Sequence, residues 1–215
     1  MSRASSIPAA DGRLEDFARR WRVPHVPEFE MWLYRRLFAA ELRARLKGLA
    51  RAKTAKDLAL RGRVRRLLGD PYAAVDFRAA LDIRPDYALA HAWLGEAGLG
   101  ENGAIDSLDR AIELDPKDGW AYVYRGAGRL LVDDSTGAAK DLALARKLLP
   151  REALPFLLAG LALGKTKRRE AANNSYLKAL HLEPSCSAAA LLRARLWTGV
   201  KAAKAAEEAL EAEPD

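Results

Sequence analysis

Apolar residues recur at helical spacing along most of this chain, and their pattern predicts an almost entirely α-helical protein. The clearest part runs from Trp120 to Pro184, where two successive segments can be aligned one under the other. Gly126 then matches Gly160, and Pro150 matches Pro184, each at an offset of 34 residues. A constant offset of this size is typical of a repeat array built from pairs of helices.

Small and large residues alternate within each repeat, and their sizes predict where the paired helices touch. Two helices approach closely only where the side chains between them are small, because protein interiors are filled without gaps. Each first helix carries a recurrent glycine and each second helix a recurrent alanine, with a large residue four positions after the alanine. The glycines are Gly62, Gly95, Gly126 and Gly160, the alanines Ala73, Ala104, Ala138 and Ala172, and the large residues Phe77, Leu108, Leu142 and Tyr176.

The repeats resemble those of the tetratricopeptide repeat (TPR) family. The segments AIELDP (residues 111–116), AYVYRG (121–126) and LKALHLEP (177–184) are close to the family consensus. The resemblance covers the chain from about Lys53 onwards as five units. It implies an all-α fold, namely a right-handed TPR-type α-solenoid of about five helix pairs preceded by an N-terminal helical extension. The units end near Pro85, Pro116, Pro150, Pro184 and Pro214.

The part of the chain before the repeats is expected to form a separate extension. We predict a disordered N-terminus over residues 1–11, a basic helical extension over residues 12–50 and the TPR solenoid over residues 51–215. A helix from about Glu28 to Lys47 has a wide apolar surface, which should pack on the first repeat or on something outside the chain. The second repeat is three residues short, and we expect the loss in the turn between its helices.

The resemblance also implies a binding groove, because TPR proteins usually bind peptides on a concave face lined by the first helix of each pair. Such a groove would be basic at its N-terminal end and apolar and aromatic in its middle. It suits an amphipathic helix or an apolar peptide with acidic residues toward one end. The sequence therefore predicts a non-enzymatic scaffold or adaptor that binds a protein segment. The repeat register assigns to the groove Arg63, Arg66, Trp93, Glu96, Trp120, Val123, Tyr124, Ala127, Leu154, Leu157, Leu158 and Leu161.

The same groove residues have a second interpretation. The helix from Glu28 to Lys47 could fold back over them, or a second copy of the chain could cover them, and the leucines would then belong to the core. The sequence leaves both arrangements open. It also leaves open the oligomeric state, the identity of the partner and whether the chain is part of a longer protein.

Charge is unevenly distributed along the chain, which adds an alternative function. The net charge is +7, but residues 1–67 hold 17 Lys and Arg against 7 Asp and Glu. A basic segment with interspersed aromatic residues can bind RNA, because the aromatic rings stack on bases. RNA binding through the N-terminal helices is therefore the alternative to protein binding. The cations are Arg19, Arg20, Arg22, Arg35, Arg36, Arg43, Arg45, Lys47, Arg51, Lys53 and Lys56, and the aromatic residues are Trp21, Trp32 and Tyr34.

One motif imitates a nucleotide-binding loop, but its context opposes that function. Residues 159–166 read AGLALGKT and fit a permissive phosphate-loop pattern. A phosphate loop follows a β-strand, whereas the preceding segment here is a helix in repeat register. We therefore interpret Gly164, Lys165 and Thr166 as the turn between two helices. The glycine-rich segment 95–103 is interpreted likewise, as a helix end followed by a turn.

The sequence contains no recognisable catalytic or metal-binding set. His25, His91 and His181 are isolated from one another, and Cys186 has no second cysteine to pair with. No run of 18 or more apolar residues occurs, and the N-terminus lacks the apolar core of a secretory signal. We therefore predict no enzymatic activity, no cofactor, no metal and a cytoplasmic location.

Overall fold

A computed structural model describes residues 39–184, 186 and 188–196, and every regular element within them is a helix. The all-α prediction is confirmed, and none of the described helices is long and apolar enough to cross a membrane. The predictions for residues 1–38 and for the last helix of the fifth unit fall outside the described residues. Helical residues cover 39–48 and 188–196. Between them lie α1 (Ala55–Leu68), α2 (Ala73–Ile83), α3 (Ala88–Ala97), α4 (Ala104–Leu114), α5 (Gly119–Leu131), α6 (Ser135–Leu148), α7 (Ala153–Lys165) and α8 (Arg169–Leu182).

Several helices begin and end at residues whose local chemistry favours a boundary. The Thr54 hydroxyl accepts a hydrogen bond from the backbone N–H of Asp57 at the start of α1. The Asp118 carboxylate accepts one from the N–H of Trp120 at the start of α5. These caps satisfy N–H groups that have no partner inside the helix. Gly69 follows α1 with a positive φ of 76°, a conformation that glycine adopts without strain.

The paired helices touch where the alternation of small and large residues predicts. A Cβ atom added to Gly62 would lie 2.6 Å from the ring of Phe77, and one added to Gly126 would lie 2.8 Å from Leu142. A Cβ atom on Gly160 would likewise overlap the ring of Tyr176. The large side chain of each second helix therefore occupies the space that glycine leaves on the first helix, and the sequence-based assignment of these contacts is confirmed.

The second repeat is shorter than the others, as predicted, but the turn between its helices is not the part that is shortened. We expected the loss in the turn, but the connection between α3 and α4 spans residues 98–103, whereas only residues 132–134 connect α5 and α6. The helices are shorter instead: α3 has 10 residues against 13 in α5, and α4 has 11 against 14 in α6. Gly100 and Gly103 have φ values of 91° and 84°, so this glycine-rich segment leaves the helical conformation early.

The chain divides into two compact units, residues 1–93 and 94–215. In the first unit, helical residues 39–48 pack on α1, because Leu42 joins Val64 and Leu67 in one buried cluster. The described end of the predicted helix from Glu28 to Lys47 therefore lies against the first repeat. In the second unit, α5, α6, α7 and α8 pack around two buried clusters that include Trp120, Tyr176 and several leucines.

Candidate functional site

The basic end of the predicted groove belongs to the first unit and is largely buried. The guanidinium carbon of Arg63 lies 5.7 Å from the ring centroid of Trp93, within range of a cation–π interaction. The Trp93 ring is tilted against that of Phe77, with centroids 5.9 Å apart. Arg63 is 3% exposed and Trp93 1% exposed, whereas Arg66 is half-buried. Of these predicted groove residues, Arg66 is therefore the one with surface left for a partner.

Five predicted groove residues of the second unit lie together in one core cluster. The structure brings the aromatic residues and leucines of α5 and α7 into contact, and the rings of Trp120 and Tyr124 lie 5.9 Å apart between centroids. Their exposed fractions run from 0% for Val123 to 9% for Leu154. These side chains stabilise the third and fourth repeats and present little surface in this structure. The five residues are Trp120, Val123, Tyr124, Leu154 and Leu157.

The remaining groove residues of the second unit are half-exposed and mostly apolar. Ala127 lies on α5, and Leu161 occupies the matching position of α7, 34 residues later. Leu158 and Leu161 rest on buried residues beneath them and keep part of their surface accessible. Leu131, four residues after Ala127, is 62% exposed. We call Ala127, Leu131, Leu158 and Leu161 the α5–α7 face; Glu96 is half-buried and belongs to α3.

Sequence reasoning missed Leu131, although a signal for it was present. Residues four apart on a helix lie on the same side, and Leu131 follows the predicted groove residue Ala127 by four positions. Exposed apolar residues that share a helix with a predicted groove residue are candidates for an interaction surface. The α5–α7 face thus combines an accessible apolar surface with a rigid, buried support.

The structure also contains an ion-pair network that the sequence analysis did not predict. Arg125 donates to both carboxylate oxygens of Asp141 at 2.9 and 2.6 Å and to Asp109 at 2.6 Å. Arg129 donates to Asp141 at 2.8 Å, and Asp141 is 2% exposed. Burial lowers the pKa of Arg125, but the two carboxylates outweigh this effect and raise the pKa above its ordinary value. Arg125 therefore stays charged inside the repeat.

The first repeat contains the same network at matching positions. Arg61 and Arg65 both donate to Asp76, at 2.6 and 2.8 Å, and Asp76 is 1% exposed. The hydrogen bond to Asp76 raises the pKa of Arg61. The sequence signal is two arginines four apart on a first helix, with an aspartate directly before the large residue of the second helix. These arginines are neutralised within the fold, so they are structural residues rather than a basic binding surface.

The motif that imitates a phosphate loop is occupied by contacts within the repeats. Lys165 is the last residue of α7, and its amino group lies 2.7 Å from the carboxylate of Asp133. This ion pair lowers the pKa of Asp133. The Thr166 hydroxyl donates to the backbone carbonyls of Ala162 and Leu163. The turn therefore begins at Thr166, slightly later than predicted, and the lysine and the hydroxyl both have protein partners.

Two other candidates for chemistry also have ordinary surroundings. The Nε2 atom of His91 lies 2.9 Å from the backbone carbonyl oxygen of Pro85, and Cys186 is a half-buried free thiol. Within residues 39–184 and the few described after them, no three His, Cys, Asp or Glu side chains are close enough to hold a metal ion.

Comparison with known proteins identifies a relative of this sequence. No model of a known protein family matches the sequence. The chain is 32% identical over 159 residues to the DnaJ protein P58IPK homolog B of Oryza sativa subsp. japonica; the match covers 68% of the chain and 31% of the relative. The chain thus spans about a third of that relative's length.

Two solved structures resemble the fold closely. The first is TTC0263, a thermophilic TPR protein of Thermus thermophilus; its TM-score is 0.60 at 19% identity, over 80% of this chain and 98% of that one. The second is a MamA chain of Desulfovibrio magneticus RS-1, whose TM-score is 0.58 at 22% identity, over 80% of this chain and 94% of that one. At such identities the likeness shows the fold, and it agrees with the repeat pattern of the sequence.

Proposed function

This chain is a tetratricopeptide repeat protein, and we propose that it is a scaffold that binds a protein segment on the α5–α7 face. The observation that carries the proposal is that Leu158 and Leu161 are half-exposed on a buried core, while Leu131 on α5 is 62% exposed. When a partner covers rigidly held apolar surface, that surface is removed from water. This burial stabilises the complex by about 25 cal/mol per Å².

The chemistry of this face suits an amphipathic helix. Leu158 and Leu161 are three residues apart on α7, and Ala127 and Leu131 are four apart on α5, so each helix presents a short apolar row. A partner helix with apolar residues at spacings of three and four could insert into such a surface. That the partner carries acidic residues, which would lie near Arg66, stays a prediction from the sequence. A cytoplasmic location likewise stays a prediction.

Buried residues are unsuitable as probes of this proposal. Trp120 and Leu157 are 8% and 6% exposed, so replacing either with alanine would leave a cavity in the core. A loss of binding in those variants would then report unfolding. Leu161 is a better probe because part of its side chain is accessible, and Leu144 on α6, which is 44% exposed, offers a matched control.

The proposal is tested by photo-cross-linking in the native host. A photoreactive amino acid replaces Leu161 in one sample and Leu144 in another, and cross-linked proteins are identified by mass spectrometry. We expect a defined partner at position 161 that is absent at position 144. The same set of proteins at both positions would argue against a binding site on the α5–α7 face. So would the absence of any cross-link at position 161.

RNA binding has less support from the described residues. Arg61 and Arg65 are neutralised by Asp76 and add nothing to a free basic surface. Five of the eleven cations behind this alternative, and all three of its aromatic residues, lie outside the described residues, so it stays a prediction. Its test is an RNA titration at several salt concentrations, because binding to phosphates weakens steeply with salt.

A further inference from the structure

The second helix of each pair carries a polar residue directly before its large apolar residue. In the first and third pairs this residue is an aspartate that receives two guanidinium groups, as described for Asp76 and Asp141. In the second and fourth pairs it is a serine, Ser107 or Ser175. The fourth pair therefore has no carboxylate at the place where the third pair has one.

A guanidinium group nevertheless reaches this place in the fourth pair. Arg146 of α6 donates a hydrogen bond of 3.1 Å to the hydroxyl of Ser175, which is 3% exposed. Its guanidinium carbon lies 5.8 Å from the ring centroid of Phe156 on α7. The Ser175 hydroxyl gives its own proton to the carbonyl of Ala171 at 2.9 Å. Arg146 is thus held between α6, α7 and α8 by an aromatic ring and a neutral hydroxyl.

Arg146 differs from the other arginines inside this unit in its charge balance. Arg125 and Arg129 share the carboxylate of Asp141, whereas no carboxylate of the described residues pairs with Arg146. Burial lowers the pKa of Arg146, since removing its charge from water is unfavourable and no anion compensates. A half-buried cation of this kind gains most from an added anion, because the surrounding dielectric is low.

The exposed surface of α6 and α8 indicates which anion fits. The single acidic residue of α6 is Asp141, which is buried and paired, so that helix presents no carboxylate to solvent. Lys147 is exposed on α6 and Lys178 on α8. These cations complement a protein segment that carries acidic side chains.

We propose that the junction of α6, α7 and α8 is a carboxylate-binding site in which Arg146 binds an aspartate or glutamate side chain of a protein partner. The third pair of the same chain shows the arrangement, in which a carboxylate accepts from guanidinium groups beside the large residue. A planar guanidinium binds a carboxylate through two parallel hydrogen bonds.

This site is distinct from the α5–α7 face and extends the proposed function. Phe156 and Leu158 are two residues apart on α7, so they point to roughly opposite sides of that helix, about 200° apart. A partner on the α5–α7 face and a carboxylate at Arg146 therefore occupy different surfaces. Loss of either site leaves the other in place, and the two proposals can fail independently.

A side-chain NMR titration tests the site. The Nε–Hε signals of arginine are followed while sodium acetate, and separately a short glutamate-rich peptide, is added at constant ionic strength. We expect a saturable shift at Arg146. Arg110 is the internal control, because it is already paired with Glu113 on the surface and should respond only weakly. An Arg146 response no larger than that to chloride, or equal to that of Arg110, would overturn the proposal.

Two variants make the titration specific. Ser175→Asp places a carboxylate beside Arg146, as Asp141 does in the third pair, and should abolish the shift and raise the melting temperature. Arg146→Gln, whose fold is checked by circular dichroism, should weaken peptide binding at least tenfold in calorimetry. An unchanged shift in Ser175→Asp, unchanged peptide affinity in Arg146→Gln, or tighter binding of inorganic phosphate than of the peptide would each contradict a carboxylate site.

Discussion

Helices α5 and α6 are joined by a buried carboxylate between two guanidinium groups, whereas α7 and α8 are joined by apolar side chains at the matching positions. Ala159 and Leu163 of α7 stand where α5 has Arg125 and Arg129. Both pairs nevertheless keep the contact between a glycine and a large residue. The comparison shows that side-chain size sets how close the helices lie. The neighbouring residues determine whether ion pairs or apolar contacts stabilise each pair.

The largest difference between the two pairs should come from removing the polar residue of the second helix. Asp141→Ala removes the buried anion that Arg125 and Arg129 share and leaves Arg125 with Asp109 alone, so it should lower the free energy of unfolding by about 3 kcal/mol. Ser175→Ala removes a neutral partner and should cost about 1 kcal/mol. Urea unfolding of both variants measures the difference, and equal losses would show that the ion-pair network adds nothing special to the third pair.

The glycine contact should be equally important in both pairs. Gly160→Ala places a methyl group into the ring of Tyr176 and should cost about 1–3 kcal/mol, the usual range for overpacking. Gly164→Ala is the matched control on the same helix, because the nearest atom to its Cβ would be 3.5 Å away. This change should be neutral or stabilising by roughly 0.5 kcal/mol. Thermal unfolding compares the two, and equal melting temperatures would refute the packing role of Gly160.

The fourth pair should also respond to alkaline pH through its large residue. Burial disfavours the tyrosinate anion and raises the pKa of Tyr176 to about 12, while an unfolded tyrosine titrates near pH 10. Stability is therefore unaffected below pH 10 and falls as pH rises from 10 to 12, by roughly 2–3 kcal/mol over the whole window. The control is Tyr176→Phe, which should remove this part of the alkaline loss in urea titrations at pH 9 and pH 11. If the free energy of unfolding fell equally between pH 9 and pH 11 in both proteins, the raised pKa of Tyr176 would be contradicted.

The smallest effect is expected at the ion pair between the turns of the two repeats. Asp133 and Lys165 are 86% and 42% exposed, so water and salt screen their attraction. Lys165→Gln should leave the melting temperature unchanged within error. The same variant should bind ATP no differently from the wild type in a calorimetric titration. A lysine-dependent ATP affinity would revive the phosphate-loop interpretation.

The sequence predicted the helix pairs and their contacts well, because both depend on side-chain size at fixed spacing. Gly126 and Leu142 were assigned to each other from register alone, and they meet in the structure. The shape of the second repeat was predicted incorrectly. Repeat register locates where residues are missing, but the φ values of Gly100 and Gly103 decide that the helices, rather than the turn, become shorter.

The candidate site was harder to predict, since exposure depends on neighbours that periodicity does not reveal. Trp120 and Val123 lie on the first helix of a pair, as register requires, yet neighbouring repeats bury them. Register likewise could not show that Arg125 would find two carboxylates, one on α4 and one on α6. Position along a helix follows from sequence, whereas the partner of a buried charge follows from packing.

The most direct test of the account is calorimetric binding of the cross-linked partner to matched surface variants. Leu161→Arg should weaken binding at least tenfold, because a charge would enter the apolar contact on the α5–α7 face, while Leu144→Arg should leave the affinity unchanged. Circular dichroism confirms that both variants keep their fold. Equal affinities for the wild type and Leu161→Arg, or a comparable loss in Leu144→Arg, would contradict the claim that this face binds the partner.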